Sequence, residues 1–198
     1  MVLVISPGRP SVLSLAAGVL ALHSLQVHSA DIRVVEFPEG CAAVENFAVS
    51  PRFGRPPDVA LLRQDLLRAL DGSLSLADAL AAKEHDYGEA SVPATHLSET
   101  ESKVLWFDDE ATGAVILELR TTDRIGLLHR VAAALESNSV VVRWARVATL
   151  GSSVVDSFCL TAPDATGITA RESASEETRG LSAEVRDRVE RAVLSAAR

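Results

Sequence analysis

Asp123, Arg124 and Gly126 stand where an apolar run stops and a helical pattern starts. The run is Val115 to Leu119, ending in Thr121 and Thr122, and helical apolar spacing resumes at Leu127 and Leu128. A strand that gives way to a helix brings unpaired backbone N–H groups to one spot, and such groups attract anions. A carboxylate, a guanidinium and free N–H groups together suit a small anionic or zwitterionic ligand. Arg124 is able to hold a carboxylate through two parallel hydrogen bonds. Asp123 is able to accept from an ammonium group, and Gly126 allows close backbone approach because no Cβ intervenes. A plainer structural reading stays open, in which Asp123 caps the helix and Arg124 points into solvent.

Other chemistry lacks its residues. No G-x-G-x-x-G, G-x-x-x-x-G-K-[ST] or G-x-S-x-G pattern occurs. His85 and Asp86 are adjacent, but His23, His28, His96 and His129 lack the helical spacing that would complete a metal site. Asp108, Asp109 and Glu110 fall in a hairpin-like turn and read as solvated carboxylates. Trp106 and Trp144 read as core or interface anchors, since neither sits in an aromatic-basic series. No catalytic residue, cofactor or metal is expected from this chain.

The elements that position the junction come from a chain of 198 residues, enough for one large domain or two of about 100. Apolar residues make up 47 % and aromatics only 4 %, so the core must be mostly Leu, Val and Ala. With 27 acidic and 19 basic residues the net charge is −8, which disfavours nonspecific nucleic-acid binding. No run approaches the ~20 apolar residues of a membrane span. No basic segment precedes the first apolar run, so no secretory leader is expected. Cys41 and Cys159 each lie in an apolar, strand-like run and read as buried thiols of a reduced compartment. A soluble cytoplasmic protein is the expectation.

In chain order, the pattern predicts a strand over Val2 to Ile5 and a helix from Val12 to about His23. Strands over Val27 to Phe37 and Ala43 to Val49 flank a turn at Pro38, Glu39 and Gly40. A helix capped by Asp58 carries Val59, Leu62, Leu66 and Leu70, and another runs from Leu74 to about Ala82. The polar stretch from Lys83 to Thr100 reads as a linker, dividing the chain into 1–83, 84–102 and 103–198. Beyond it come strands over Lys103 to Phe107 and Val115 to Arg120, then a helix from Leu127 to about Glu136 ending at Asn138. Strands over Val140 to Leu150 and Ser153 to Leu160 flank a turn at Gly151 and Ser152. Residues 162 to 180 read as a loop, and Leu181, Val185, Val189 and Val193 mark a last helix with Ser182 as its cap.

The halves repeat. An offset of 115 lays Arg9 on Arg124, Leu13 on Leu128, Ala17 on Ala132 and Leu20 on Leu135. Ser24, Val27 and Ala30 then meet Ser139, Val142 and Ala145. After the hairpin turn the offset becomes 111, so that Val44 meets Val155 and Phe47 meets Phe158. Each half is β-α-β-β-α, which a final strand would complete as a split βαβ unit. The fold class is therefore α+β, two tandem ferredoxin-like (βαββαβ) units. Val92 to His96 or Lys103 to Phe107 are the candidates for the first unit's closing strand, and Lys103 to Phe107 is also a candidate extra edge of the second. Pairing the units side by side, or forming a homodimer, would cover the remaining edges.

A βαββαβ unit with D-R-x-G at its first strand-helix junction resembles the ACT domain, a small-molecule sensing module. LELRTTDRIGLLHRVAAALESNSVVVRWARVATLGSSVVDSFCLT resembles the second of two ACT domains that end the bifunctional protein-PII uridylyltransferase and uridylyl-removing enzymes, in their actinobacterial type. Ala145 to Thr161 is its most specific part, and residues 2 to 83 resemble the preceding ACT domain. The resemblance implies upstream catalytic domains that add or remove a nucleotidyl group on the PII protein, uridylyl or adenylyl. It implies that this chain senses L-glutamine, or another amino acid, and reports nitrogen status to those domains or to PII. It places the ligand against Asp123, Arg124, Ile125, Gly126 and Leu127, with Ala145, Val147 and Thr149 on the facing strand. The alternative is a structural or protein-interaction ACT module with no small-molecule ligand. The first unit departs from the pattern, reading Ser6, Pro7, Gly8, Arg9, Pro10, Ser11. Only Arg9 is retained there, so this junction is expected to serve as a structural partner.

Overall fold

Val115, Leu117 and Leu119 are buried while Ala114, Ile116 and Glu118 between them are partly exposed, the period-two pattern of a strand with one covered face. Patterns of this kind set the frame of the computed structural model, which describes residues 1–7, 12–38, 40–54, 57–90, 101–109, 114–150, 153–162 and 180–198. The order is β1 (Val2–Pro7), α1 (Leu13–Leu22), β2 (Leu25–Phe37), β3 (Gly40–Pro51), α2 (Val59–Leu70) and α3 (Leu76–Ala90). The second half follows as β4 (Lys103–Asp109), β5 (Ala114–Thr122), α4 (Leu127–Ser137), β6 (Val141–Leu150), β7 (Ser153–Thr161) and α5 (Ala183–Ala196).

Local capping chemistry starts and stops several helices where the sequence predicts. Asp58 accepts from the Ala60 N–H at the start of α2, and Ser182 accepts from the Val185 N–H at the start of α5. Asn138 closes α4. Helix α3 runs further than its apolar spacing predicts and is helical through residues 84–90. Tertiary contacts explain the extension. Lys83 Nζ donates to the carbonyls of Ala21 and Leu22 at the end of α1, at 2.9 and 2.6 Å. A cation on the last carbonyls of another helix is favourable, and it anchors a segment that has no apolar stripe of its own.

The seven strands among the described residues form one open antiparallel sheet in the order β1-β3-β2-β6-β7-β5-β4. The fold is two tandem ferredoxin-like units of ACT type, laid side by side. The repeat is visible in the backbone itself. Ser24 and Ser139 both adopt the left-handed conformation, at φ 57° and 56°. The β-bulge between Val27 and Ser29 recurs between Val142 and Trp144. Phe47 stands between Val2 and Ala30 as Phe158 stands between Leu117 and Ala145. The units join where β2 pairs with β6, Ala30 directly opposite Ala145. These two alanines are equivalents, so an approximate two-fold axis passes between them.

The strand β4 pairs with β5 and takes the edge where a closing strand of the second unit would lie. Among the described residues β1 has no neighbour on its outer side. An apolar groove of about 580 Å³ opens there, between Val2 and Val4 on one side and Leu62, Leu66 and Leu70 on the other. Val92 to His96, the turn residues Glu39, Glu110, Gly151 and Ser152, the junction residues 8–11 and the loop residues 163–179 lie outside the described residues. No helix among the described residues is long and apolar enough to cross a membrane.

The core is shared. Leu13, Ala16 and Leu20 of α1 cluster with Leu127, Val131 and Leu135 of α4, over Phe47 and Phe158. Helix α1 packs on α2, α3, α4 and the sheet, which is why it is apolar all round rather than striped. Gly18 makes this possible, since a Cβ there would meet Leu76 Cδ1 at 2.8 Å and His129 Nδ1 at 2.9 Å. Trp106 donates to Glu190 at 2.9 Å and packs against the core. Asp108 and Asp109 belong to β4 rather than to the expected turn, because they pair with Val115 and Ala114 of β5, and Asp108 is ion-paired with Arg186, whose hydrogen bonds hold its carboxyl below the usual range.

Ala30 and Ala145 are fully buried, so enlarging either overpacks the seam. Ala145→Leu is expected to lower stability by about 1–3 kcal/mol in urea denaturation. An unchanged midpoint would show that the seam is loosely packed.

Candidate functional site

The second unit's strand-helix junction owes its shape to Gly126. This residue caps α4 at φ 75°, a left-handed conformation that side chains disfavour. An added Cβ would also meet Leu80 Cδ1 of α3 at 2.9 Å. The glycine is therefore required by its own backbone and by Leu80, which the sequence reading of close ligand approach did not anticipate. Among the described residues no side chain caps α4. The Leu127 N–H reaches the Arg124 carbonyl at 3.1 Å, whereas the N–H groups of Leu128 and His129 have no carbonyl within the helix.

Beside this helix start is a cavity of about 60 Å³, lined among others by Gln26 of β2, Asp123, Leu127, Val147, Thr149 and Asp156. Gln26 Nε2 donates to Thr149 Oγ1 at 3.1 Å, tying the units together at its wall. Arg52, from the end of β3, donates to Asp123 Oδ2 at 2.9 Å across the same boundary. A second cavity of about 200 Å³ holds Ile125, Ser24, Phe53 and Lys83, and shares Ala21, Leu25, Arg52 and Gly126 with the first.

Asp156 is the unusual member. It lies on β7 between Leu119 and Val147, is 1 % exposed, and its Oδ1 has no hydrogen-bond partner among the described residues. Burial, with repulsion from Asp123 second, pushes its pKa up to about 7. The site thus combines two carboxylates, the guanidinium groups of Arg52 and Arg124, and the positive end of a helix. Such a set suits a zwitterion, with N–H groups for its anionic end and carboxylates for its cationic end.

The sequence-derived residues divide as follows. Asp123, Arg124, Gly126, Leu127, Val147 and Thr149 line the first cavity, and Ile125 lines the second. Ala145 is fully buried at the seam, further along β6. Asp123 pairs with Arg52 instead of capping the helix, and Arg124 donates to the Arg198 carbonyl instead of standing free in solvent. The sequence reading passed over Asp156, Arg52, Gln26 and His129. Asp156 had a signal: it shares parity with Val154 and Phe158, so a carboxylate falls on the core face of its strand. Arg52 had none.

No family model matches the chain. Over 170 residues it is 39 % identical to the bifunctional uridylyltransferase/uridylyl-removing enzyme of Mycobacterium tuberculosis, covering 81 % of this chain and 20 % of that protein. It is 36 % identical over 192 residues to the protein so named from Streptomyces coelicolor, covering 93 % of this chain and 22 % of the relative. For that of Ruegeria pomeroyi the figures are 32 % over 157 residues, with 76 % and 16 % covered. The chain is homologous over most of its length to part of these proteins, and spans about a fifth of the two actinobacterial relatives.

Because the Asp156 pKa is raised in the folded state, its contribution to stability is full below about pH 4 and is lost as pH rises through about 7. Asp156→Asn, which cannot ionise, is expected to gain on wild type across that window, by at most roughly 4 kcal/mol at about 1.36 kcal/mol per pKa unit. Urea denaturation from pH 4 to 8 measures the difference. A difference that stays flat would mean that Asp156 ionises normally.

Proposed function

We propose that this chain is a regulatory amino-acid-sensing module that binds L-glutamine at the α4 junction. In a longer protein it controls nucleotidylation and denucleotidylation of the PII nitrogen-signalling protein by upstream catalytic domains. The observation that carries this reading is the unpartnered, buried Asp156 carboxylate facing a cavity at an uncapped helix N-terminus. The relatives are named for uridylyl transfer and removal, which supports the wider reading of a part in controlling those two reactions. On this reading residues 1–83 and 103–198 are the two domains, and the protein works in the cytoplasm.

The ligand carboxylate takes the N–H groups of Leu128 and His129, and its ammonium group lies between Asp123 and Asp156. A cavity of about 60 Å³ holds a few waters, and glutamine needs more room. Arg52 therefore swings off Asp123 as the ligand enters, joining the two cavities that it lines. This links ligand binding to the boundary between the units, since Arg52 belongs to the first and Asp123 to the second.

A second reading, a protein-contact module without a small ligand, is favoured by the apolar groove beside β1. Calorimetric titration with L-glutamine, and with L-glutamate, L-asparagine and D-glutamine as controls, separates the two. Selective, saturable heat for L-glutamine is expected. Asp123→Ala is expected to abolish that heat at a stability cost within about 1 kcal/mol, the worth of a partly exposed ion pair. Absence of heat at millimolar ligand would favour the protein-contact reading, and equal binding by Asp123→Ala would remove Asp123 from the site.

A further inference from the structure

The approximate two-fold axis gives the α4 junction a counterpart at the N-terminus of α1, and that counterpart is filled by the protein's own carboxylates. Glu45, fully buried on β3, accepts from the Val12 N–H through Oε1 at 2.7 Å. Glu136, near the end of α4, accepts from the Ser14 N–H at 3.0 Å and from the Ser14 hydroxyl at 2.5 Å.

The repeat offsets identify the equivalents. Glu45 corresponds to Asp156, because Glu45 pairs with Val4 and Ile32 as Asp156 pairs with Leu119 and Val147. Ser14 corresponds to His129, and Glu136 to Ala21, at the offset that lays Leu20 on Leu135. The α4 end therefore has a carboxylate one methylene shorter and a methyl group in place of the Glu136 side chain. Both substitutions remove volume, and the cavity of about 60 Å³ lies there, lined by Ala21 as well as Asp156.

We propose that the α1 N-terminus is a self-occupied copy of the α4 site, with the Glu136 carboxylate standing where the ligand's carboxylate binds at α4. Each chain then takes one ligand, and that ligand must carry a carboxylate. The proposal rests on the amino-acid reading of the α4 site and adds its stoichiometry and its anchoring group. It also assigns the first unit a role: Glu136 reaches from α4 to α1 at one end of the helix pair, and the ligand makes the matching bridge at the other. The partial positive charge of a helix N-terminus explains why a carboxylate is the common occupant.

The test uses wild type, Ala21→Glu, Ala21→Gln and Glu136→Gln of the whole chain. Wild type is expected to bind one L-glutamine per chain and to bind L-glutaminamide, which lacks the carboxylate, at least tenfold more weakly. Ala21→Glu copies the plug into the open site, so it should lose binding at least tenfold and melt higher than Ala21→Gln, its neutral isostere. Glu136→Gln should melt lower than wild type. Two equivalents bound to wild type, equal binding of the amide, or Ala21→Glu melting no higher than Ala21→Gln would overturn the proposal. Should Ala21→Glu fail to fold, the Glu136→Gln comparison decides, and an unchanged melting temperature sinks the proposal. If wild type takes up no L-glutamine, the amino-acid reading falls while the melting comparisons still test the plug.

Discussion

The pairing of β2 with β6 about Ala30 and Ala145 governs the rest of the molecule. It hides one edge of each three-stranded core behind the other, removing two rows of unpaired backbone groups at once. It also sets α1 beside α4 over a common cluster of Leu, Val and Ala side chains. The close fit rests on small residues: alanine opposite alanine in the sheet, and Gly18 where His129 and Leu76 approach α1. His129 uses that proximity, donating through Nδ1 to the Ser14 carbonyl at 2.8 Å. With so few aromatics, the core gains its close packing from backbone proximity more than from large rings.

Two helices paired across a two-fold axis bring the start of each near the end of the other. The fold therefore builds two chemically similar corners, each with helix N–H groups, an inward carboxylate and the partner helix's last turn. The side chains then break the symmetry. At the α1 corner Glu45 and Glu136 meet N–H groups directly. At the α4 corner Asp156 is too short to do so, and the Ala21 methyl group offers nothing to bond. The asymmetry depends on two positions and leaves the backbone repeat intact, down to its left-handed serines and bulges.

A buried carboxylate without a partner is costly, since burial removes several kcal/mol of hydration even after relaxation. Burial raises the Asp156 pKa to about 7, so the carboxyl keeps its proton to higher pH than an exposed one, with Asp123 adding to the shift. Arg52 gives Asp123 a partner, through an ion pair that spans the units.

The sequence by itself determined the elements, the repeat and the junction loop. These depend on neighbours within a few positions: Asp58 and Ser182 cap because their oxygens reach the next turn, and Asp123 to Gly126 form one junction, with Leu127 opening α4, because they are consecutive. The repeat was legible because equivalent environments select similar residues at a constant offset. Asp156 was half legible, as a carboxylate of core parity. Tertiary structure alone decided that β4 lies on β5, that Lys83 extends a polar helix, and that Arg52 meets Asp123 from 71 positions away. It also decided which of two similar helix ends is filled. Those contacts close long loops, and nothing in a local pattern records which distant side chain will arrive, because the geometry that selects it exists only once the sheet has paired.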